Sequence, residues 1–298
     1  MSSDPSRVAV EVEGRKLVLS NLDKVLYPKA GFTKAQVIDY YQRIAPVLLP
    51  HISGRPVTIK RYPDGVDAKF FFQKNAPAGR PDWVSTARLP SPGSTKSRET
   101  IEYVLGGDLP TLIWAANLAA LELHVPMWRY PDVGQPDLLV FDLDPGAPAT
   151  IVQCCSVAVL LRPLLADLGL KPVAKTSGGK GLQLYAPITK RSSDDASALA
   201  KELAERLEQD EPDLVVSRMT KALRPGKVLI DWSQNNAAKT TVAPYSLRAR
   251  EQPTVSTPVT WEEVESCRRP EDLTFTADDV LARVARSGDL FTVTGRRR

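Results

Sequence analysis

The sequence is poor in cysteine and has no long apolar run, and both absences exclude broad classes of protein. Three of its 298 residues are cysteine. Two of them, Cys154 and Cys155, are neighbours in an apolar helical stretch, a pattern that does not make a disulfide framework. No apolar run reaches the roughly 18 residues of a membrane-spanning helix, and residues 1–5 contain no signal-peptide core. We therefore expect a cytoplasmic protein with reduced cysteines and no membrane partner.

Acidic residues are missing from basic stretches of the chain. The net charge is only +4, but residues 171–191 contain five Lys or Arg and no acid. Residues 218–250 contain seven basic residues and a single acid, Asp231, and residues 55–74 contain five basic residues and two acids. Such segments indicate a surface for a polyanion. A basic surface scattered over the whole protein is the alternative, but it does not explain stretches without acids.

Three aspartates end short apolar runs. Asp142 and Asp144 end the run at 138–144, and Asp231 ends the run at 228–231; such runs are typical of buried strands. Side chains alternate along a strand, so Asp142 and Asp144 emerge on one face, roughly 6–7 Å apart at the backbone. Carboxylates are costly in a dry core unless they are paired or bind a cation. The pattern therefore predicts a cradle for divalent metal ions; the alternative is that these aspartates only cap turns.

A glycine-rich loop at 176–181 is the second chemical feature. Its glycines leave the backbone free to aim successive N–H groups at one point, while Ser177 adds a hydroxyl and Lys180 a positive charge. This composition suits phosphate oxygens, although the G-x-x-x-x-G-K-[ST] spacing of the common nucleotide-binding loop is absent. A plain glycine turn between two strands is the alternative.

His124 is one of only two histidines. Pro126 indicates that a helix has ended by this point and that an extended segment has begun. The neighbouring residues offer no metal-ligand spacing. The residues alone therefore favour a structural hydrogen bond for His124.

The pattern of apolar residues, caps and turns predicts an α/β or α+β protein without internal repeats. It predicts a hairpin over 8–19, helices over 34–49, 111–123, 150–168, 195–208 and 277–286, and strands at or near 56–61, 69–73, 138–144, 172–176, 182–186, 214–218 and 227–232. Thr33 and either Ser192 or Ser193 are expected helix caps. Residues 76–98, rich in Pro, Gly and Ser, are expected to form a long loop.

Six ordered motifs together resemble a known family. They are Leu-Asp-Lys-Val-Leu-Tyr-Pro at 22–28, Leu-His-Val-Pro at 123–126, Phe-Asp-Leu-Asp-Pro at 141–145, Ser-Gly-Gly-Lys-Gly at 177–181, Asp-Trp-Ser-Gln-Asn at 231–235 and Ala-Pro-Tyr-Ser-Leu-Arg at 243–248. In this order the chain resembles the primase-polymerase domain of bacterial ligase D, a branch of the archaeo-eukaryotic primase superfamily used in non-homologous end joining. The resemblance covers nearly the whole chain. It implies one domain, 1–298, in which an αβ module (mainly 1–120) and a catalytic RRM-like module (mainly 121–290) enclose a cleft.

The resemblance implies a role for each residue that matches its motifs. Asp142, Asp144 and Asp231 would be the catalytic residues and would bind two divalent ions, Mn2+ or Mg2+. The residues implied to hold the triphosphate of an incoming nucleotide are His124, Ser177, Lys180, Arg248, Gln234 and Lys60. The residues implied to contact DNA are Lys24 and Lys34 at a downstream 5′-phosphate, Phe71 and Phe72 as a stacking pair, and Arg224 in a mobile loop. Considered alone, the two lysines would be solvated and the two phenylalanines would belong to the core.

The features and the resemblance together predict a template-dependent nucleotidyltransferase that fills short gaps or extends primer ends in DNA repair, with ribonucleotides favoured, by a two-metal mechanism. Its expected partners are gapped or broken DNA with a 5′-phosphate, nucleoside triphosphates, a DNA ligase and a DNA-end-binding protein, and it is expected at the nucleoid. Two alternatives are a DNA-end-binding module with little or no catalysis and a metal-dependent nuclease.

The sequence departs from the family at Gln183, where histidine usually follows Lys-Gly-Leu. Glutamine can donate a hydrogen bond to a phosphate but carries no positive charge, so the catalytic rate or the nucleotide affinity is expected to differ. A start methionine and the lack of ligase or nuclease motifs lead us to expect a stand-alone member, although an excised domain would have the same sequence.

Overall fold

The structure is a computed structural model that describes residues 7–90, 99–189 and 191–293. Over these residues the chain forms six α-helices and sixteen strands, most of the strands gathered in two six-stranded sheets. None of the described helices combines the length and the apolar character needed to cross a membrane.

The helices are interspersed among the strands along the chain. The helices are α1 (Lys34–Ile52), α2 (Leu109–Asn117), α3 (Ile151–Asp167), α4 (Ser193–Asp210), α5 (Trp261–Ser266) and α6 (Ala277–Ser287). The strands are β1 (Arg7–Val12), β2 (Arg15–Ser20), β3 (Val25–Tyr27), β4 (Phe32–Thr33), β5 (Pro56–Arg61), β6 (Phe71–Gln73), β7 (Thr86–Pro90), β8 (Thr100–Leu105), β9 (Ala120–Val125), β10 (Leu138–Pro145), β11 (Val173–Thr176), β12 (Leu182–Pro187), β13 (Val215–Val216), β14 (Val228–Asp231), β15 (Thr241–Val242) and β16 (Pro258–Val259).

The first sheet has the strand order β15-β9-β5-β8-β7, with β6 added along β5. Helices α1 and α2 contact each other, and buried residues of both join the sheet in one apolar core, which includes Tyr41, Leu48 and Leu121. Thr33 starts α1 with a capping box that it forms with Gln36. The sheet includes β9 and β15, which lie at residue 120 and beyond, so the division of the chain near that residue stays a prediction.

The second sheet has the strand order β13-β14-β10-β12-β11-β16. All its neighbouring strands pair antiparallel except β13 and β14, which are parallel. Helices α3 and α4 contribute to a second apolar core with one face of this sheet, and α4 begins at the predicted cap Ser192.

Strand β10 contributes to both cores because its side chains alternate between two faces. Leu139, Phe141 and Leu143 pack in the second core. Val140, which points to the opposite face, packs in the first core. Asp142 and Asp144 share the face of Val140, so both aspartates point toward the first core.

Two sequence predictions are wrong. The helix predicted over 111–123 is instead α2 followed by β9, with Ala119 between them in a left-handed conformation at φ 57°. An unbroken apolar run does not distinguish a buried helix from a buried strand, and here it contains one of each. The predicted loop over 76–98 contains β7, and its residues 91–98 lie outside the described part of the chain. The hairpin over 8–19 and the helices at 34–49, 150–168, 195–208 and 277–286 are confirmed.

Candidate active site

The three aspartates lie together on the face of the second sheet that points toward the first core. Strands β10 and β14 pair antiparallel with Asp142 opposite Asp231, and Asp144 stands two residues further along β10. Directly opposed residues in an antiparallel pair point to the same face. The structure thus brings together the three acids that the sequence indicated, while their catalytic and metal-binding roles stay predictions.

Neutral donors hold two of these carboxylates. Gln183 Nε2 donates to Asp142 Oδ1 at 2.9 Å, and Gln234 Nε2 donates to Asp231 Oδ2 at 2.8 Å. The backbone N–H of Ser233 donates to Asp231 Oδ1 at 3.1 Å, and its hydroxyl donates to the same oxygen. Within the described ranges, no basic side chain forms an ion pair with any of the three aspartates.

Burial and mutual repulsion disfavour the ionised form of the aspartates on β10. Burial, followed by the charge of Asp144, raises the pKa of Asp142 to about 7. The pKa of Asp144 is also raised, by burial and by the charge of Asp231, whereas the charges of Arg224 and Arg248 lower it. A cation bound between the carboxylates would relieve this repulsion.

The chemistry of this donor set fits a divalent cation. Three carboxylates on one face offer the oxygen ligands that Mg2+ and Mn2+ prefer. As placed, no group of three or more His, Cys, Asp or Glu side chains in the described residues has the geometry to hold a metal ion. The oxygens of Asp142 and Asp231 are turned toward neighbouring amide and hydroxyl donors instead. Asp142, Asp144 and Asp231 are the residues that would hold a cation.

The glycine-rich loop joins β11 to β12 beside β10. Ser177 Oγ accepts hydrogen bonds from the N–H groups of Gly179 and Gly181 at 3.2 and 3.1 Å. The expectation that the glycines aim free N–H groups at an external phosphate is therefore wrong for this pair, which the loop's own hydroxyl occupies. A Cβ on Gly181 would lie 2.4 Å from the carbonyl oxygen of Leu143, so a glycine is required for this close approach. Lys180 is exposed and has no partner among the described residues.

Glu122 is a buried carboxylate that the sequence analysis missed, and it links three of the predicted triphosphate ligands. Its Oε2 lies 2.9 Å from His124 Nε2, and its Oε1 lies 3.6 Å from Lys60 Nζ and 3.4 Å from Arg248 Nε. Burial alone would raise the pKa of Glu122, but the hydrogen bond with His124 and the nearby positive charges lower it to about 2. The alternation of apolar and polar residues at 121–124 is the signal that reveals this site once the segment is read as a strand.

Arg248 connects the Glu122 cluster to the glycine-rich loop, because its Nη1 donates to the carbonyl oxygen of Ser177. The pKa values of His124 and Lys60 are both lowered, because burial outweighs the opposing charge of Glu122. Gln234, the remaining predicted nucleotide ligand, contacts Asp231 instead.

Three exposed phenylalanines stand at and beside β6. The exposed fractions of Phe70, Phe71 and Phe72 are 45%, 50% and 59%, so a core role for Phe71 and Phe72 is wrong. Phe72 meets His124 edge-on with 6.1 Å between the ring centroids, and Lys60 Nζ lies 4.3 Å from the centre of the Phe70 ring. Phe71 and Phe72 are adjacent in a strand and therefore point to opposite faces.

The two lysines that match the 5′-phosphate motif lie near each other. Lys34 is buried, and its Nζ donates to the carbonyl oxygen of Ser20 at 2.6 Å, so it is not a solvated lysine. Burial, followed by the charges of Lys24 and Arg61, lowers the pKa of Lys34 to about 8. Lys24 is exposed and pairs with Asp64 at 2.7 Å. Arg61 completes this basic cluster, although the sequence analysis gave it no role.

Arg224 lies close to the aspartates. Its charge lowers the pKa of Asp144, and its Nη2 donates to the carbonyl oxygen of Met219 at 2.6 Å. A Cβ on Gly146 would lie 2.0 Å from the carbonyl oxygen of Arg224. The segment 221–227 therefore packs directly on the turn that follows β10.

A cavity of about 1090 Å³ lies away from the aspartates, between α1 and residues 289–293. Its charged side chains already have partners: Arg55 pairs with Asp137 at 2.5 Å, and His51 with Asp289 at 2.8 Å. None of the three aspartates lines it, so its size does not make it the active site.

Two six-stranded sheets, each packed with α-helices, form an archaeo-eukaryotic primase-like fold. A family model described as "LigD, primase-polymerase domain" matches residues 33–291. The chain therefore belongs to the LigD primase-polymerase domain family, and the resemblance inferred from its motifs is confirmed.

Individual relatives agree with this assignment. The chain is 48% identical over 275 residues to the multifunctional non-homologous end joining protein LigD of Mycolicibacterium smegmatis, covering 91% of this chain and 35% of that protein. It is 34% identical over 275 residues to the bifunctional LigD of Bacillus subtilis, covering 92% and 43%. It matches the solved polymerase domain from Mycobacterium tuberculosis ligase D in complex with DNA, with a TM-score of 0.86, 47% identity, and coverage of 92% of this chain and 96% of that one. The chain thus spans 35–43% of the length of the two curated relatives.

Replacing Asp142 with asparagine is expected to stabilise the metal-free protein near neutral pH. Because the folded-state pKa of Asp142 is raised, this residue destabilises the fold increasingly as the pH rises from about 4 to about 7. Thermal unfolding in EDTA should give Asp142→Asn a higher Tm than the wild type at pH 8, with a gap that shrinks toward pH 4. A gap independent of pH would contradict the proposed burial of charge.

Replacing Glu122 with alanine is expected to lower the free energy of unfolding by about 3–5 kcal/mol, because it leaves buried positive charges without their partner. Urea denaturation measures this change. Glu265→Ala is the matched control, since Glu265 forms an exposed pair with Arg162 at 2.8 Å and should change stability by no more than about 1 kcal/mol. Equal losses in the two variants would show that Glu122 does not organise the cluster.

Proposed function

We propose that this chain is a template-dependent nucleotidyltransferase that fills short gaps or extends primer ends during DNA end joining, with two divalent ions, preferably Mn2+. The observation that carries the proposal is the row of three acidic side chains on one sheet face, without basic partners among the described residues, beside a cluster of basic residues. Membership of the primase-polymerase family supports the same class of reaction.

The aspartates would bind the cations, and the basic cluster would bind the phosphates. Two bound divalent ions would lower the pKa of a primer 3′-hydroxyl and neutralise charge on the triphosphate. Asp142, Asp144 and Asp231 would hold these ions. The protein's remaining contribution to phosphoryl transfer is positioning and fixed charge.

The Glu122 cluster would receive the triphosphate. Lys60, His124 and Arg248 converge on Glu122, so their side chains are held in place before a nucleotide arrives and lose less conformational freedom on binding. Ser177 and Lys180 would extend this surface along the glycine-rich loop, and Gln234 would reach it from Asp231. Arg224, beside Asp144, would add positive charge at the mouth of the site.

DNA would bind along the exposed aromatic strand and the second basic cluster. Phe71 and Phe72 expose about half of their side chains, one on each face of β6, and bases stack on aromatic side chains. Lys24 and Lys34, with Arg61, would hold the 5′-phosphate on the downstream side of a gap through charge-assisted hydrogen bonds. The solved M. tuberculosis domain was obtained in complex with DNA, which supports DNA as the partner of this chain.

We extend the proposal to ribonucleotides as favoured substrates and to a DNA ligase and a DNA-end-binding protein as partners at the nucleoid. The resemblance to ligase D supports the sugar preference. The relatives named as multifunctional and bifunctional end joining proteins support the partners.

Asp144→Ala and Asp231→Ala are expected to abolish primer extension, because each removes a carboxylate that would hold a cation. The assay offers a labelled primer on gapped DNA with Mn2+ and either ribonucleotides or deoxyribonucleotides, beside fluorescence anisotropy for DNA affinity. The exposed Asp167→Ala variant is the control and should extend as the wild type does.

Wild-type extension by either active-site variant would refute the assignment of the aspartates. Binding without extension by the wild type would favour a DNA-end-binding module, and a shortened primer would favour a nuclease.

Lys34→Met is expected to remove the preference for gapped DNA with a 5′-phosphate over the same DNA with a 5′-hydroxyl. Hydrogen bonds to charged groups contribute about 1.5–3 kcal/mol, so the affinity ratio should fall by about ten-fold or more. Anisotropy with both DNAs, at constant salt, measures the ratio. Lys29→Met, at an exposed lysine paired with Glu251, should leave it unchanged. A ratio that survives in Lys34→Met would locate the phosphate elsewhere.

A further inference from the structure

A buried lysine lies two strands away from the aspartates in the same row. Across the second sheet, Lys175 on β11 stands opposite Gln183 on β12, Gln183 stands opposite Asp142 on β10, and Asp142 stands opposite Asp231 on β14. Opposed residues share a face, so four side chains form one line across four strands. Lys175 stands at one end of this line and Asp231 at the other, and the Lys175 side chain is fully buried.

The Lys175 ammonium has no ion-pair partner among the described residues. It donates to Gln183 Oε1 at 2.5 Å and to Ser256 Oγ at 2.7 Å, and it lies 5.3 Å from the centre of the Tyr185 ring. A buried lysine without a carboxylate is costly, and burial lowers the pKa of Lys175 well below its usual value. Filling space in the core does not require that cost, because an apolar side chain of similar length would fill the same space.

The contacts of Lys175 determine which way the Gln183 amide points. Gln183 Oε1 receives hydrogen bonds from Lys175 Nζ and from the Tyr185 hydroxyl, the latter at 3.0 Å. Two donors therefore meet the oxygen end of the amide, which fixes that end toward Lys175 and Tyr185. The NH2 end must then face Asp142, and Gln183 Nε2 does donate to Asp142 Oδ1 at 2.9 Å. The other oxygen of Asp142 has no partner among the described residues.

We propose that Lys175 is a positioning residue that acts through the Gln183 amide. It holds the Asp142 carboxylate so that one oxygen accepts a hydrogen bond from Gln183 and the other is free to bind a divalent cation. This inference rests on the proposed function, because it assigns a cation to Asp142. It adds a buried lysine and an oriented amide to the site, and it gives Gln183 a role in place of phosphate binding.

Mn2+ affinity of the protein, measured by electron paramagnetic resonance without DNA or nucleotide, tests this inference. Lys175→Met and Gln183→Leu should each weaken Mn2+ binding by about ten-fold, as loss of a group that orients a metal ligand usually does. The double variant should bind no more weakly than either single variant, because both changes remove the same link. Losses that multiply in the double variant, or an unchanged affinity in Lys175→Met, would overturn the inference.

Two further variants separate positioning from a merely structural role. Gln183→His should retain wild-type affinity, because one ring nitrogen can accept from Lys175 while the other donates to Asp142. Ser256→Ala removes the other hydrogen bond of Lys175 and should leave the affinity within about two-fold, since the link to Asp142 is intact. If Lys175→Met does not fold, the contrast between Gln183→Leu and Gln183→His still decides the question. Equal affinities in that pair would overturn the inference.

Failure of the proposed function is distinguishable from failure of this inference. Absence of nucleotide addition by the wild type, with the expected loss of Mn2+ affinity in the variants, would reject the polymerase activity and support the inference. Normal addition by the wild type, with Mn2+ affinity unchanged in the variants, would support the activity and overturn the inference. A wild type that binds no Mn2+ would overturn it as well.

Discussion

The repulsion between three carboxylates on one sheet face is the constraint on which the rest of this structure depends. Asp142 and Asp231 are opposed across two hydrogen-bonded strands, and Asp144 is two residues away. Burial and mutual repulsion raise the pKa values of the two aspartates on β10. The surrounding protein does not relieve this repulsion with salt bridges, because the described partners of these carboxylates are amides and hydroxyls. The fold therefore maintains an unneutralised acidic face, which is unfavourable for stability and suited to cations.

A second carboxylate in the molecule shows the opposite arrangement. Glu122 is more deeply buried than the two aspartates of β10, but positive groups surround it and lower its pKa. The first site presents three carboxylates without basic partners among the described residues, whereas the second presents positive side chains gathered around one carboxylate. The function that we propose uses both sites, because a nucleotide that carries a divalent ion presents phosphates and a cation together.

The local alternation of apolar and acidic residues predicted the parts of the site that lie within one strand. The period of two placed Asp142 and Asp144 on one face, and their apolar neighbours indicated a buried strand. The register that sets Asp231 opposite Asp142 depends on pairing between residues 89 positions apart in the chain, which no local pattern specifies. Glu122 was missed because a continuous apolar run was read as one helix. The exposure of Phe71 and Phe72 was predicted only through the family resemblance, since aromatic residues are more often buried.

The basic stretch at 171–191 shows a second limit of sequence reasoning. Its lysines were all assigned to a surface for a polyanion, yet Lys175 points inward and Lys180 points outward. Composition counts charges but does not tell which side of a sheet each charge occupies. The alternation of Lys175 and its neighbours along β11 carries that information only after the strand and its partners are known.

The packing of β10 into both apolar cores limits how far the two sheets can move relative to each other. Val140 is enclosed by one core and Phe141 by the other, so the two halves cannot rotate apart without opening a core at this strand. We expect a rigid frame around the aspartates, with adjustment to different substrates confined to the connecting segments at 177–181 and 221–227.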